Sequence, residues 1–177
     1  MDAALAMLGS GRPGTLPIRG RSMEPTLSEG AWIVVDFSQR SFRPGDLVVF
    51  RQNREVVVHR YLGRARFPDG RPCLRTRGDG LLQLDPPCAP ESALGKVLLL
   101  QRDGVWRDLG GRGASLYARC LAWHDLFWAG CGVLAERLQR GRKGTWRLVR
   151  RLDRSLLRYA DRLLFARLHG EAAPPAS

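Results

Sequence analysis

A serine near the amino terminus and one histidine further along are the residues of this chain whose types could together carry out acyl transfer. Ser22 stands in the stretch Arg19-Gly20-Arg21-Ser22-Met23-Glu24-Pro25-Thr26-Leu27. Pro25 fixes its own φ and biases Glu24 away from helix, so Ser22 and Met23 are expected on a loop of restricted course. A hydroxyl is a weak nucleophile near neutral pH, so it needs a base to take its proton and a third group to orient that base. The histidines are His59, His124 and His169. Of these, only His59 lies in the strand-rich region that also holds Ser22. An orienting carboxylate could come from Asp79 or Asp85, both in the loop-rich stretch Arg77 to Asp85. Taken singly, each signal also fits ordinary structure: a surface turn, a satisfied strand histidine, a pair of turn acids.

The elements that must bring these groups together are mostly strands. Ala31 to Phe37 is β-branched and aromatic, and Asp46 to Gln52 repeats that character after the Arg43-Pro44-Gly45-Asp46 turn. Asn53-Arg54 then separates it from Glu55 to Leu62, which predicts a short-loop hairpin. Alternation puts Val57, His59 and Tyr61 on one face of that strand and Val56, Val58 and Arg60 on the other. Cys73 to Thr76 and Leu94 to Gln101 are further strand candidates, with Val105-Trp106 a short last one. The expected organisation is a flexible lead over 1–14, a β domain over 15–109, a helical appendage over 110–170 and a disordered tail over 171–177.

Composition narrows the function classes. With 177 residues, 44% of them hydrophobic and 26% charged, the chain can bury a core and is not a wholly disordered segment. Its net charge of +12 implies an anionic partner, either nucleic-acid phosphates or membrane headgroups. Cys73, Cys88, Cys120 and Cys131 lack metal-site spacing, so no metal and no cofactor are expected, and free thiols are expected ahead of a Cys73–Cys88 bridge. Met1 to Leu8 has no basic leader and is too short for a signal peptide or anchor. The apolar window Ala114 to Ala135 is interrupted by Arg119, His124 and Asp125, which argues against a span. The expected location is therefore cytoplasmic or peripheral on a membrane.

After the Gly110-Gly111-Arg112-Gly113 linker, the sequence reads at helical period. Leu116, Cys120, Trp123, Phe127 and Leu134 form one stripe, and a second run places leucines between 148 and 164 opposite a row of arginines. A helical hairpin results. It would either pack its apolar face on the β domain or dock on an anionic membrane surface or a partner.

The blocks Ser22-Met23-Glu24-Pro25-Thr26-Leu27, Arg43-Pro44-Gly45-Asp46-Leu47-Val48-Val49-Phe50, Val57-Val58-His59-Arg60, Arg77-Gly78-Asp79 with Asp85, and Leu94-Gly95-Lys96-Val97, in this order, resemble the type I signal peptidase family. The resemblance covers about residues 16 to 101. It implies a mainly β fold, a signal-peptidase/LexA-like antiparallel β domain. It further implies a serine endopeptidase with Ser22 as nucleophile and His59 as general base, Asp85 orienting the imidazole and Asp79 helping to build the loop. Gly20, Met23 and Pro25 would lie at the substrate. Histidine at the base position resembles the endoplasmic-reticulum and archaeal branch, where bacterial members carry lysine. The exchange is chemically sensible, because histidine's reference pKa of about 6.5 leaves much of it neutral at pH 7 without the large depression a lysine requires.

Two departures from the family pattern matter. Gly20 occupies the position where many relatives place a second serine as oxyanion donor, and no transmembrane helix precedes Ser22. The expected partner is thus a precursor or leader peptide bound as an extended strand. A self-cleaving repressor-type peptidase would share the fold and the serine but use a lysine base. A basic nucleic-acid-binding module, or a catalytically inactive interaction module on the same fold, is the alternative motivated by charge. Nucleic acid is the less favoured partner, because the arginines repeat on an amphipathic face and no recognition motif is present.

Overall fold

The computed structural model describes residues 12–53, 55–81, 83–138, 160–161, 164–165 and 167–175. They form a seven-stranded antiparallel sheet followed by a helix. The strands are β1 (Gly14–Pro17), β2 (Trp32–Asp36), β3 (Leu47–Gln52), β4 (Glu55–Arg66), β5 (Pro72–Arg77), β6 (Ala93–Arg102) and β7 (Val105–Asp108), and the helix is α1 (Arg112–Leu138). Their order across the sheet is β1-β2-β6-β3-β4-β5, with β7 paired to β6.

Strand β3 is the keel. Four consecutive residues, Leu47 to Phe50, are buried, because both faces of the strand are covered. Leu47 and Val49 join the larger core with Ile33, Val35, Val97 and Leu100, while Val48 and Phe50 join a second cluster with Tyr61 and Leu74. Such a two-sided strand reads as a continuous apolar run, which is how Leu-Val-Val-Phe appears in the sequence.

Strand β4 pairs with β3 in a register that sets Val48 opposite His59 and Leu47 opposite Arg60. His59 therefore shares its face with the second cluster, its ring 5.9 Å from that of Phe50, and Arg60 projects from the opposite face. This is the alternation expected from the sequence. The strand runs on past Leu62 to Arg66, through a register shift between Tyr61 and Gly63 and a polar stretch with little strand signature.

Several elements differ from expectation. Strand β1 lies at the sheet edge within a stretch where the sequence has no strand-like run, and it is held by pairing with β2 and by the burial of Leu16 and Ile18. The expected disordered tail pairs instead with β7. Asp108 N donates to Gly170 O at 3.0 Å and Ala172 N to Trp106 O at 3.0 Å. Cys73, Cys88 and Cys120 are free thiols. The second helix of the expected hairpin falls mostly outside the described residues, and no helix among the described residues is long and apolar enough to cross a membrane.

The returning segment is tied to α1 by a buried polar knot. The Tyr117 hydroxyl donates to Asp161 Oδ1 at 2.6 Å, Arg102 reaches Asp161 Oδ2 at 2.8 Å, and the rings of Phe165 and His169 stack at 3.9 Å. Burial and the Asp161 carboxylate push the Tyr117 phenol well above its ordinary pKa, so it stays protonated and remains a donor. Burial, joined by the nearby Arg60 and Arg102 charges, pushes His169 below its ordinary pKa, against the opposing pull of Phe165 O and Asp161. A buried neutral histidine takes up a proton more readily once unfolded. This part of the fold should therefore be fully stable above pH of about 6.5 and lose stability as pH falls below it. Thermal unfolding at a series of pH values should show that slope, and His169→Phe should flatten it.

Candidate active site

The Ser22 turn is anchored from beneath. Met23 and Leu27 enter the larger core, and Leu27 N donates to Met23 O at 3.0 Å to close the turn. Pro25 follows a cis peptide bond from Glu24. The Ser22 side chain is left partly open to solvent while the residues around it are fixed.

His59 meets this turn from β4. Its Nε2 lies 2.9 Å from Ser22 Oγ, and its Nδ1 lies 2.7 Å from Asp85 Oδ2. An ionised carboxylate can only accept, so Nδ1 carries the ring proton and Nε2 is free to accept from the serine hydroxyl. The His59 and Asp85 side chains are each 6% exposed, so the pair sits in a dry setting behind a more accessible serine. The Thr76 hydroxyl donates to the same Asp85 oxygen at 2.7 Å, and Asp85 N donates to Thr76 O at 3.0 Å. Thr76 thus fixes the acid through both side chain and backbone. Its role is invisible in the sequence, where it reads only as a strand residue between two arginines.

Asp79 does different work. Its carboxylate accepts from Arg60 Nε at 2.8 Å, from Arg60 Nη2 at 2.6 Å and from the Thr26 hydroxyl at 2.5 Å. The two-pronged geometry is the strong form of this pairing. Arg60 also donates from Nη1 to Gly45 O at 2.7 Å, and from Nη2 to Thr26 Oγ1 at 3.3 Å. One guanidinium therefore holds together the Ser22 turn, the Gly78–Gly80 loop and the turn before β3.

The loop approaches the serine closely. Gly80 N donates to Ser22 O at 2.8 Å. A Cβ on Gly78 would lie 2.5 Å from Ser22 O and 3.0 Å from His59 Nε2. Gly78→Ala must therefore displace the serine or the imidazole. Misplacement on that scale costs up to about a hundredfold in rate. A drop in kcat accompanied by a lowered thermal midpoint is the expected result, since the clash is with backbone that cannot give way freely.

Of the remaining sequence candidates, Gly20 sits at φ +81 with open space around its Cβ position. A serine there would strain the backbone, which accounts for the glycine. Pro25 stays at the half-buried rim. The Met23 side chain is 2% exposed and lies in the core, so this residue offers only its backbone to the cleft. His124 lies in α1 and His169 in the C-terminal knot, neither of them part of the arrangement. Among the described residues, no group of three or more His, Cys, Asp or Glu is placed to hold a metal ion.

Residues 5–66 match the family model described as Peptidase S24-like. The matched stretch takes in Ser22 and His59 and stops short of Asp79 and Asp85. It supports a LexA/signal-peptidase-like fold. No curated protein matches the chain.

Proposed function

We propose that this chain is a serine endopeptidase of signal-peptidase type with a histidine base, acting on a precursor or leader peptide. The observation that carries the reading is the unbroken hydrogen-bond relay from Ser22 Oγ through His59 to Asp85, at 2.9 Å and 2.7 Å. Peptidase S24-like similarity over the stretch containing Ser22 and His59 adds to it.

The chemistry follows from the geometry. Ser22 Oγ attacks the scissile carbonyl as its proton passes to His59 Nε2, and Asp85 stabilises the imidazolium through Nδ1–H. The Ser22 backbone N–H is the nearest candidate donor to the oxyanion. His59 then returns the proton to the leaving amine, which departs and leaves an acyl group on Ser22. Water, deprotonated by the same imidazole, releases the acyl product and restores the serine.

Incubating the purified chain with a diverse peptide mixture, and following both the peptides and the chain's own intact mass, tests the proposal. New peptide termini from the wild type but not from Ser22→Ala support cleavage of a separate substrate. Loss of mass from the chain alone would point to self-cleavage. Termini produced equally by Ser22→Ala would refute the assignment.

A further inference from the structure

Helix α1 is packed inside out for a helix that merely covers a domain. Apart from Tyr117, which is tied to Asp161, its inward side is small: Ala114 and Ala122 are buried, and the backbone of Ala118 lies so close to the turn before β3 that a Cβ on Gly45 would come within 2.6 Å of it. The large apolar residues, which the period of the sequence would assign to the core, face outward. Leu116 is 60% exposed, Trp123 68% and Phe127 64%. They fall on one stripe, flanked by the exposed Arg112 and Arg119. Among the described residues Trp123 is the most exposed of the large apolar side chains, and Leu164 on the returning segment is exposed as well.

We infer that this face of α1 lies on an anionic lipid surface, in the plane of the headgroups. Large apolar side chains bordered by arginine are the features that seat a helix at that boundary, with tryptophan suited to its half-wet depth. Charge selects the occupant. Residues 110–170 carry thirteen Lys and Arg against four Asp and Glu, in a chain of net charge +12. A second copy would bring the same charge to the same face and be repelled, whereas anionic headgroups attract each nearby arginine. No described helix is apolar enough to cross, so the helix rests on the surface and does not span it. The inference is independent of the peptidase reading.

Co-sedimentation of the full chain with two kinds of vesicle tests it: phosphatidylcholine alone, and phosphatidylcholine mixed with phosphatidylglycerol. The wild type should pellet with the mixed vesicles and be released by salt. Leu116→Ser/Trp123→Ser should lower partition by at least about tenfold, through the apolar area lost from the boundary. Arg112→Gln/Arg119→Gln should lower it several-fold. Both substituted pairs are on the surface, so an unchanged thermal midpoint should accompany each loss. Equal binding to both vesicle types, no binding to either, or no effect of the Leu116/Trp123 pair would overturn the inference. So would self-association of the wild type that Leu116→Ser abolishes, since it would assign the face to a second copy.

Discussion

If the chain is the peptidase proposed above, Ser22→Ala should lower kcat by a factor of about 10⁴ to 10⁶, His59→Ala should fall in the same range, and the double variant should be little worse than either alone. On that reading the two groups perform one event. Without Nε2 at 2.9 Å, the Ser22 hydroxyl keeps its proton; without the hydroxyl, the imidazole has no nucleophile to activate. Asp85→Asn should be less severe but still large, because an amide in place of the carboxylate can favour the wrong ring tautomer by donating to Nδ1. Thr76→Val removes only one donor to Asp85 and should cost the least of the four. Initial rates on any peptide the wild type cuts would establish the ranking. Additive losses in the double variant would show that Ser22 and His59 do not act as a unit.

The second large effect is on stability. Asp79→Ala removes the carboxylate that Arg60 grips through Nε and Nη2, in an ion pair whose side chains are 8% and 3% exposed. Breaking a buried pair by removing one partner costs about 3–5 kcal/mol, a large fraction of the stability of a domain this size. Urea unfolding followed by tryptophan fluorescence should show the midpoint fall with little change in slope. Arg60→Met should cost less than Asp79→Ala, since the acid left behind keeps the Thr26 hydroxyl as a donor and can be protonated. Equal midpoints for the wild type and Asp79→Ala would mean that other acceptors, Gly45 O among them, already compensate Arg60.

Much of this architecture was legible because its signals are local. β-branched and aromatic runs marked β2, β3 and β4, a leucine-rich run marked β6, and alternation along β4 correctly separated His59 from Arg60. Where tertiary contacts decide, the sequence carried less. Strand β1 exists because β2 offers it an edge and the core accepts Leu16 and Ile18, not because Gly-Thr-Leu-Pro favours extension. Asp79 and Asp85 look alike in a shared loop. Only the path of that loop decides which of them reaches Nδ1 and which reaches the guanidinium. Met23 follows Ser22 in sequence, but the turn directs its side chain into the core. The most instructive case is α1, whose apolar period was clear and whose orientation was not. Periodicity identifies a stripe without saying whether protein or another medium meets it. In α1 the close approach of Gly45 selected the alanine side for the interior.

Gly45 has a consequence for how the molecule could work at a boundary. Its carbonyl takes a hydrogen bond from Arg60, and its α-carbon abuts the backbone of Ala118, leaving no slack between the helix and the strand that carries His59. If both proposals hold, a chain gripping a bilayer through α1 would keep Ser22 at a fixed height, as a tool is held in a rigid mount and not on a cord. Peptides would be cut according to how far their scissile bond stands from the headgroups, so that depth would act as a ruler alongside any preference for side chains.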